Sequence, residues 1–74
     1  MTRLPMFSSR RLIRILQSIG FQLEHQRGSH VFLRHPDGRA TVVPMHRGED
    51  VGRGLLRKIL RDIQMGPKEF SKLT

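Results

Sequence analysis

Four histidines, at positions 25, 30, 35 and 46, are the residues of this 74-residue chain best suited to chemistry. Cysteine is absent, which excludes a thiol nucleophile, a disulfide scaffold and any Cys-based zinc site. A histidine zinc site would want paired short spacings, whereas the intervals here are five, five and eleven. The carboxylates Glu24, Asp37, Glu49, Asp50, Asp62 and Glu69 are scattered, which argues against a two-metal centre. No glycine-rich phosphate loop precedes a helix. Neither a metal nor a cofactor is therefore expected. What remains is metal-free acid/base chemistry, for which histidine is the natural side chain because it titrates near neutrality.

RNA is a substrate that such chemistry can cut unaided. Its 2′-hydroxyl attacks the neighbouring phosphorus once a base takes the proton, an acid protonates the leaving 5′-oxygen, and a nearby cation stabilises the added charge. DNA lacks that internal nucleophile. Fourteen Lys/Arg against six Asp/Glu give a formal charge of +8, which calls for an anionic partner, with phosphate polymers as the default. A domain that is merely basic is the bland alternative.

His30 is the favoured catalytic candidate. It opens a strand directly after the turn Arg27-Gly28-Ser29, which puts the imidazole at a sheet rim on a rigid element, near backbone N–H groups. Alternation sends Val31 and Leu33 to one face and His30, Phe32 and Arg34 to the other. With Val31 and Leu33 towards the helices, Phe32 offers a ring on which a base could stack while Arg34 holds a phosphate. The opposite parity would make Phe32 core. Arg53, Arg57 and Arg61 recur every four residues beside Lys58, and like charges so spaced repel unless a phosphate chain or an acidic protein faces them. Arg27, Gly28, Ser29, Phe32, Arg34, Arg57 and Arg61 are thus the candidate RNA-binding residues. A plain solvated face is the competing account of the helical arginines.

These groups need a scaffold. Residues 1–7 read as a lead-in kept extended by Pro5. Ser8 or Ser9 can cap a helix whose stripe is Leu12, Ile15, Leu16 and Ile19, widened by Ile13 and closed by Gly20. A half-buried strand is expected from Phe21 to Gln26, a second from His30 to about Arg34, and a third from about Arg39 to Val43, ended by Pro44. Pro36-Asp37-Gly38 marks the hairpin between the last two. A polar loop should run from His46 to Gly54, followed by a helix with stripe Leu56, Ile59, Leu60 and Ile63. Gly66-Pro67 should end it and start a short helix carrying Phe70 and Leu73. The expected fold is α+β: an α-β-β-β-α sandwich of the double-stranded-RNA-binding type, with a three-stranded antiparallel sheet and both helices on one face. One domain should span residues 1–74. Arg3, Arg10, Arg11 and Arg14 interrupt any signal-like apolar run, and no stretch reaches membrane-spanning length, so a soluble, cytoplasmic protein with no membrane association is expected.

The ordered set Gly28-Ser29-His30, His35-Pro36-Asp37-Gly38-Arg39 and Val43-Pro44-Met45-His46 resembles the HicA toxins, also described as YcfA-like proteins. The likeness continues through Arg53-Gly54-Leu55-Leu56-Arg57-Lys58-Ile59-Leu60 to Glu69-Phe70, and so covers about residues 8–70. Leu55 departs from it, since many relatives carry threonine there. The resemblance implies a metal-independent mRNA interferase whose catalytic histidine is His30. It also implies a HicB-like antitoxin partner that covers the active site. A non-catalytic RNA-binding module, or a degenerate toxin that only binds its antitoxin, are the alternatives.

Overall fold

A computed structural model describes residues 6–45 and 50–74. In chain order the elements are β1 (Phe7–Ser8), α1 (Ser9–Ser18), β2 (Gln22–Arg27), β3 (His30–Arg34), β4 (Ala40–Pro44), β5 (Asp50–Val51), α2 (Arg53–Asp62) and α3 (Pro67–Ser71). Strands β2, β3 and β4 form an antiparallel sheet in sequence order. The architecture is the expected α+β sandwich of the double-stranded-RNA-binding type.

α1 forms because Ser8 accepts a hydrogen bond from the Arg11 N–H at its start and an apolar stripe follows. At its end the Phe21 N–H reaches the Leu16 carbonyl and the Gly20 N–H reaches Gln17, the paired bonds of a Schellman cap. Gly20 takes φ +103°, and a Cβ there would lie 2.7 Å from His35 Nε2, so glycine serves both the backbone and the close approach. Leu12, Ile13 and Leu16 are buried, while Ile15 and Ile19 pack at the margin of the core. In α2, Leu56, Ile59 and Leu60 are buried, and Ile63 just beyond it is too. Both stripes meet Val31, Leu33 and Val43 from one face of the sheet in a single core.

Four features depart from expectation. Every residue of β2 is exposed, not half-buried, because β2 is the sheet edge and lies beyond the helices' cover. β1 and β5 form a two-stranded antiparallel ladder, Phe7 opposite Val51 and Ser8 opposite Asp50, where a lead-in and a polar loop were expected. The rest of that lead-in, residues 1–5, and positions 46–49 with His46 lie outside the described residues. α3 ends at Ser71, so Leu73 falls past it and is partly exposed, whereas Phe70 is fully buried.

The fourth departure is the end of α2. Met65 N–H bonds the Leu60 carbonyl and Gln64 N–H bonds Arg61, a second Schellman cap, but its left-handed residue is Gln64 at φ +56°. Gly66 instead caps the start of α3. A side chain in that region costs about 1–2 kcal/mol, partly recovered because glycine is more disordered when unfolded. Gln64→Gly is therefore expected to raise stability by about 0.5–1 kcal/mol, or roughly 4 °C in melting temperature. An unchanged or lower value by calorimetry would contradict this account of the cap.

Side chains fix the sheet to the helix ends. Arg39 donates to the Ile63 carbonyl at 2.6 Å and to Asp37, and Thr41 Oγ1 donates to Asp62 at 2.9 Å. The Arg39 N–H bonded to Asp37 Oδ1, helped by the Arg39 guanidinium, holds that carboxyl below its usual range. Its contribution to stability is thus present at neutral pH and lost only as pH falls through that lowered value.

Candidate active site

The β2–β3 hairpin carries most of the candidate residues. Its loop is only Gly28 and Ser29, with Arg27 already the last residue of β2 and paired to His30. Gly28 has φ +60° while Ser29 stays at negative φ, the pattern of a type II′ turn, whose twist matches the strands it joins. The turn is braced by Gln26 Nε2 donating to the Gly28 carbonyl at 3.1 Å and by the Met45 N–H donating to the Ser29 carbonyl at 2.6 Å.

His30 therefore sits at the first position of β3 between two neighbours, opposite Arg27 on one side and Pro44 on the other. Ser9 Oγ donates to the Pro44 carbonyl at 2.9 Å, tying the start of α1 to this end of the sheet. The helix ends lie at the other end: His35 Nε2 meets the Ile19 carbonyl at 3.2 Å and Arg39 meets Ile63. So α1 and α2 both begin near His30, and neither has an acidic residue in its first turn.

Val31 and Leu33 are each 1% exposed, which puts His30, Phe32 and Arg34 on the face away from the helices, as alternation anticipates. His30 and Arg34 are exposed and Phe32 is half-buried. Arg34 donates to Glu24 Oε2 at 2.7 Å, so one of its edges is already engaged. Phe32 is also not a bare ring: His25 stacks on it with centroids 4.2 Å apart and 12° between planes.

That His25 contact was not foreseen. Simple alternation gives Leu23 and His25 the same face, but the register slips between them, with Leu23 opposite Leu33 and His25 opposite Phe32. A bulge at Glu24 absorbs the extra residue and turns His25 to the open face. No glycine or proline marks it. The one sequence signal is an aromatic ring opposite another ring in a plausible register.

Arg57 and Arg61 are not brought to this hairpin. They stand on α2, in the layer covering the opposite face, where they line an open groove with Leu60, Met65 and Pro67. His35 is engaged structurally, edge-on to Phe21 with Nε2 at Ile19 and Nδ1 receiving the Asp37 N–H at 3.1 Å. Among the described residues no group of three His, Asp or Glu converges as a metal site. No described helix is long and apolar enough to cross a membrane.

No curated protein matches the chain. Residues 9–65 match the family described as the HicA toxin of bacterial toxin–antitoxin systems. That match takes in α1, the whole three-stranded sheet with His30, and α2 to its cap, so the chain belongs to the HicA toxin family.

Proposed function

We propose that this chain is an endoribonuclease, a metal-independent mRNA interferase acting in the cytoplasm, with His30 as its catalytic residue and a HicB-like protein as its antitoxin. The observation that carries this reading is the setting of His30: exposed, first in its strand, held by pairing on both sides, and next to Arg27. In the reaction the O2′–P bond forms and the P–O5′ bond breaks, with loss of the 2′-hydroxyl proton and gain of one by the 5′-oxygen. The products are a 2′,3′-cyclic phosphate and a 5′-hydroxyl. Histidine serves either proton transfer, and Arg27 supplies the cation for the phosphate oxygens. Ser29 and Gly28 set the turn that aims His30, and Phe32 and Arg34 extend the platform along the strand.

The direct test is purified protein with RNA in excess EDTA. Cleavage is expected to persist and to leave cyclic phosphate ends. Activity lost in chelator and restored by Mg²⁺ or Zn²⁺ would overturn the metal-free reading. RNA that stays intact under all conditions would favour a binding module or a degenerate toxin.

The arginines divide by position. Salt dependence of single-strand binding changes by about 0.7 in log–log slope for each phosphate contact. Arg27→Ala is expected to lower the slope by about that amount. Arg57→Ala with Arg61→Ala should leave it unchanged and weaken antitoxin binding instead, since the groove beside them is apolar at Leu60, Met65 and Pro67. A slope reduced by the α2 pair would mean that RNA wraps from the open face onto α2.

A further inference from the structure

Cleavage of RNA by this route moves two protons, one from the 2′-hydroxyl and one to the 5′-oxygen, and His30 performs only one of these at a time. The open face of the β2–β3 ladder holds a second imidazole at a suitable separation. His25 is paired with Phe32 and Arg27 with His30, so His25 and His30 occupy diagonal corners of one face. Diagonal neighbours on an antiparallel pair are roughly 7–8 Å apart, room for one phosphodiester group between the two rings.

The His25 ring has a fixed pose. It lies flat against Phe32, and its Nδ1 is 3.8 Å from Glu24 Oε1, whose other oxygen accepts from Arg34 Nε at 2.7 Å. A protonated ring there has a counter-charge beside it, the arrangement suited to a proton donor. The side chain is 53% exposed on an edge strand, so substrate can approach it. The charged and titratable groups around it are Glu24 and Arg27 on its own strand and His30 and Arg34 on β3.

We infer that His25 is the general acid of this site, giving its proton to the leaving 5′-oxygen while His30 takes the proton of the 2′-hydroxyl and Arg27 faces the phosphate between them. The inference rests on the RNA-cleaving reading above. The P–O5′ electron pair departs to O5′, which gains the proton from His25. The proton gained by His30 balances the one given up, and no oxidant or further reactant is needed.

The test uses the full chain with two oligoribonucleotides of one sequence. One is ordinary RNA. The other has sulfur in place of the leaving 5′-oxygen at the bond the wild type cuts, because a thiolate departs without a proton. His25→Gln is expected to lose about 10²–10⁴-fold on ordinary RNA, with the loss largely removed on the sulfur substrate. Its pH–rate profile should lose the alkaline limb that requires a protonated acid. His25→Phe, which keeps a ring on Phe32, should be as impaired as His25→Gln, whereas His30→Ala should fail on both substrates. Full activity in His25→Phe would make His25 a stacking residue and overturn the assignment. Equal losses on both substrates, or cleavage by His25→Gln within a few-fold of wild type, would overturn it as well. Wild-type protein that cuts neither substrate would bring down the ribonuclease reading itself, and this inference with it.

Discussion

His30→Ala is expected to reduce RNA cleavage by about 10²–10⁴-fold and to abolish growth inhibition while the melting temperature stays within a few degrees of wild type. The separation of these effects follows from where the side chain sits. His30 is exposed, and among the described residues no hydrogen bond engages its ring. The turn before it is held by other groups: the Gln26 amide, the Ser29 carbonyl bonded from Met45, and the positive φ of Gly28. Removing the imidazole therefore leaves the hairpin's own bonds in place. RNA affinity should fall little, because one imidazole beside fourteen Lys/Arg adds little to the electrostatic attraction. Cleavage rate, melting temperature and RNA affinity should be taken on one preparation. A variant that melts far below wild type would make His30 a structural residue, and retained cleavage would remove it from the mechanism. His35 is no ready substitute in either case, because its ring is committed to Ile19 and Asp37.

The parts of the fold legible in the sequence are those in which local chemistry and burial agree. Ser8 and Gly20 bracket α1, the Leu56–Ile63 stripe of α2 is buried throughout its apolar positions, and Val31 and Leu33 fix the parity of β3. Once β3 is fixed, His30, Phe32 and Arg34 follow, so the centre of the candidate site was legible too. The remainder required distant contacts. The β1–β5 ladder joins segments more than forty positions apart, and each contributes only two residues, too few to show a period. The Glu24 bulge is imposed by pairing with β3, not by a residue that favours it locally, and it is what turns His25 towards Phe32. The cap of α2 misleads for a related reason. Gly66 is the obvious left-handed residue, yet Pro67 needs Gly66 as the N-cap of α3, and the left-handed position falls on Gln64. Arginine spacing on α2 showed a charged face but could not show that the face lies behind the sheet.

Phe70→Ala is expected to cost about 3–5 kcal/mol, the range for truncating a buried aromatic ring. The position lies beyond the 9–65 segment that carries the family match, and β1 with Phe7 lies before it. Yet Phe70 is 0% exposed and Phe7 3%, and the two rings meet edge-on with centroids 5.9 Å apart. Both belong to the single buried core that the helices and the sheet share. A domain of this length has a total stability of roughly 4–11 kcal/mol, so the loss of one such ring removes a large share of it. The melting temperature should drop by on the order of 20 °C. Leu73→Ala is the control, because that side chain is 38% exposed and should cost little. Urea titration of both variants measures the difference, and a Phe70→Ala midpoint close to that of Leu73→Ala would show that α3 is dispensable to the core. The two kinds of variant also separate in activity. Phe70→Ala should lose RNA cleavage only in proportion to the fraction unfolded, so cooling restores the folded population and the activity with it. His30→Ala stays inactive however completely it is folded, because its defect lies in the reaction and not in the fold.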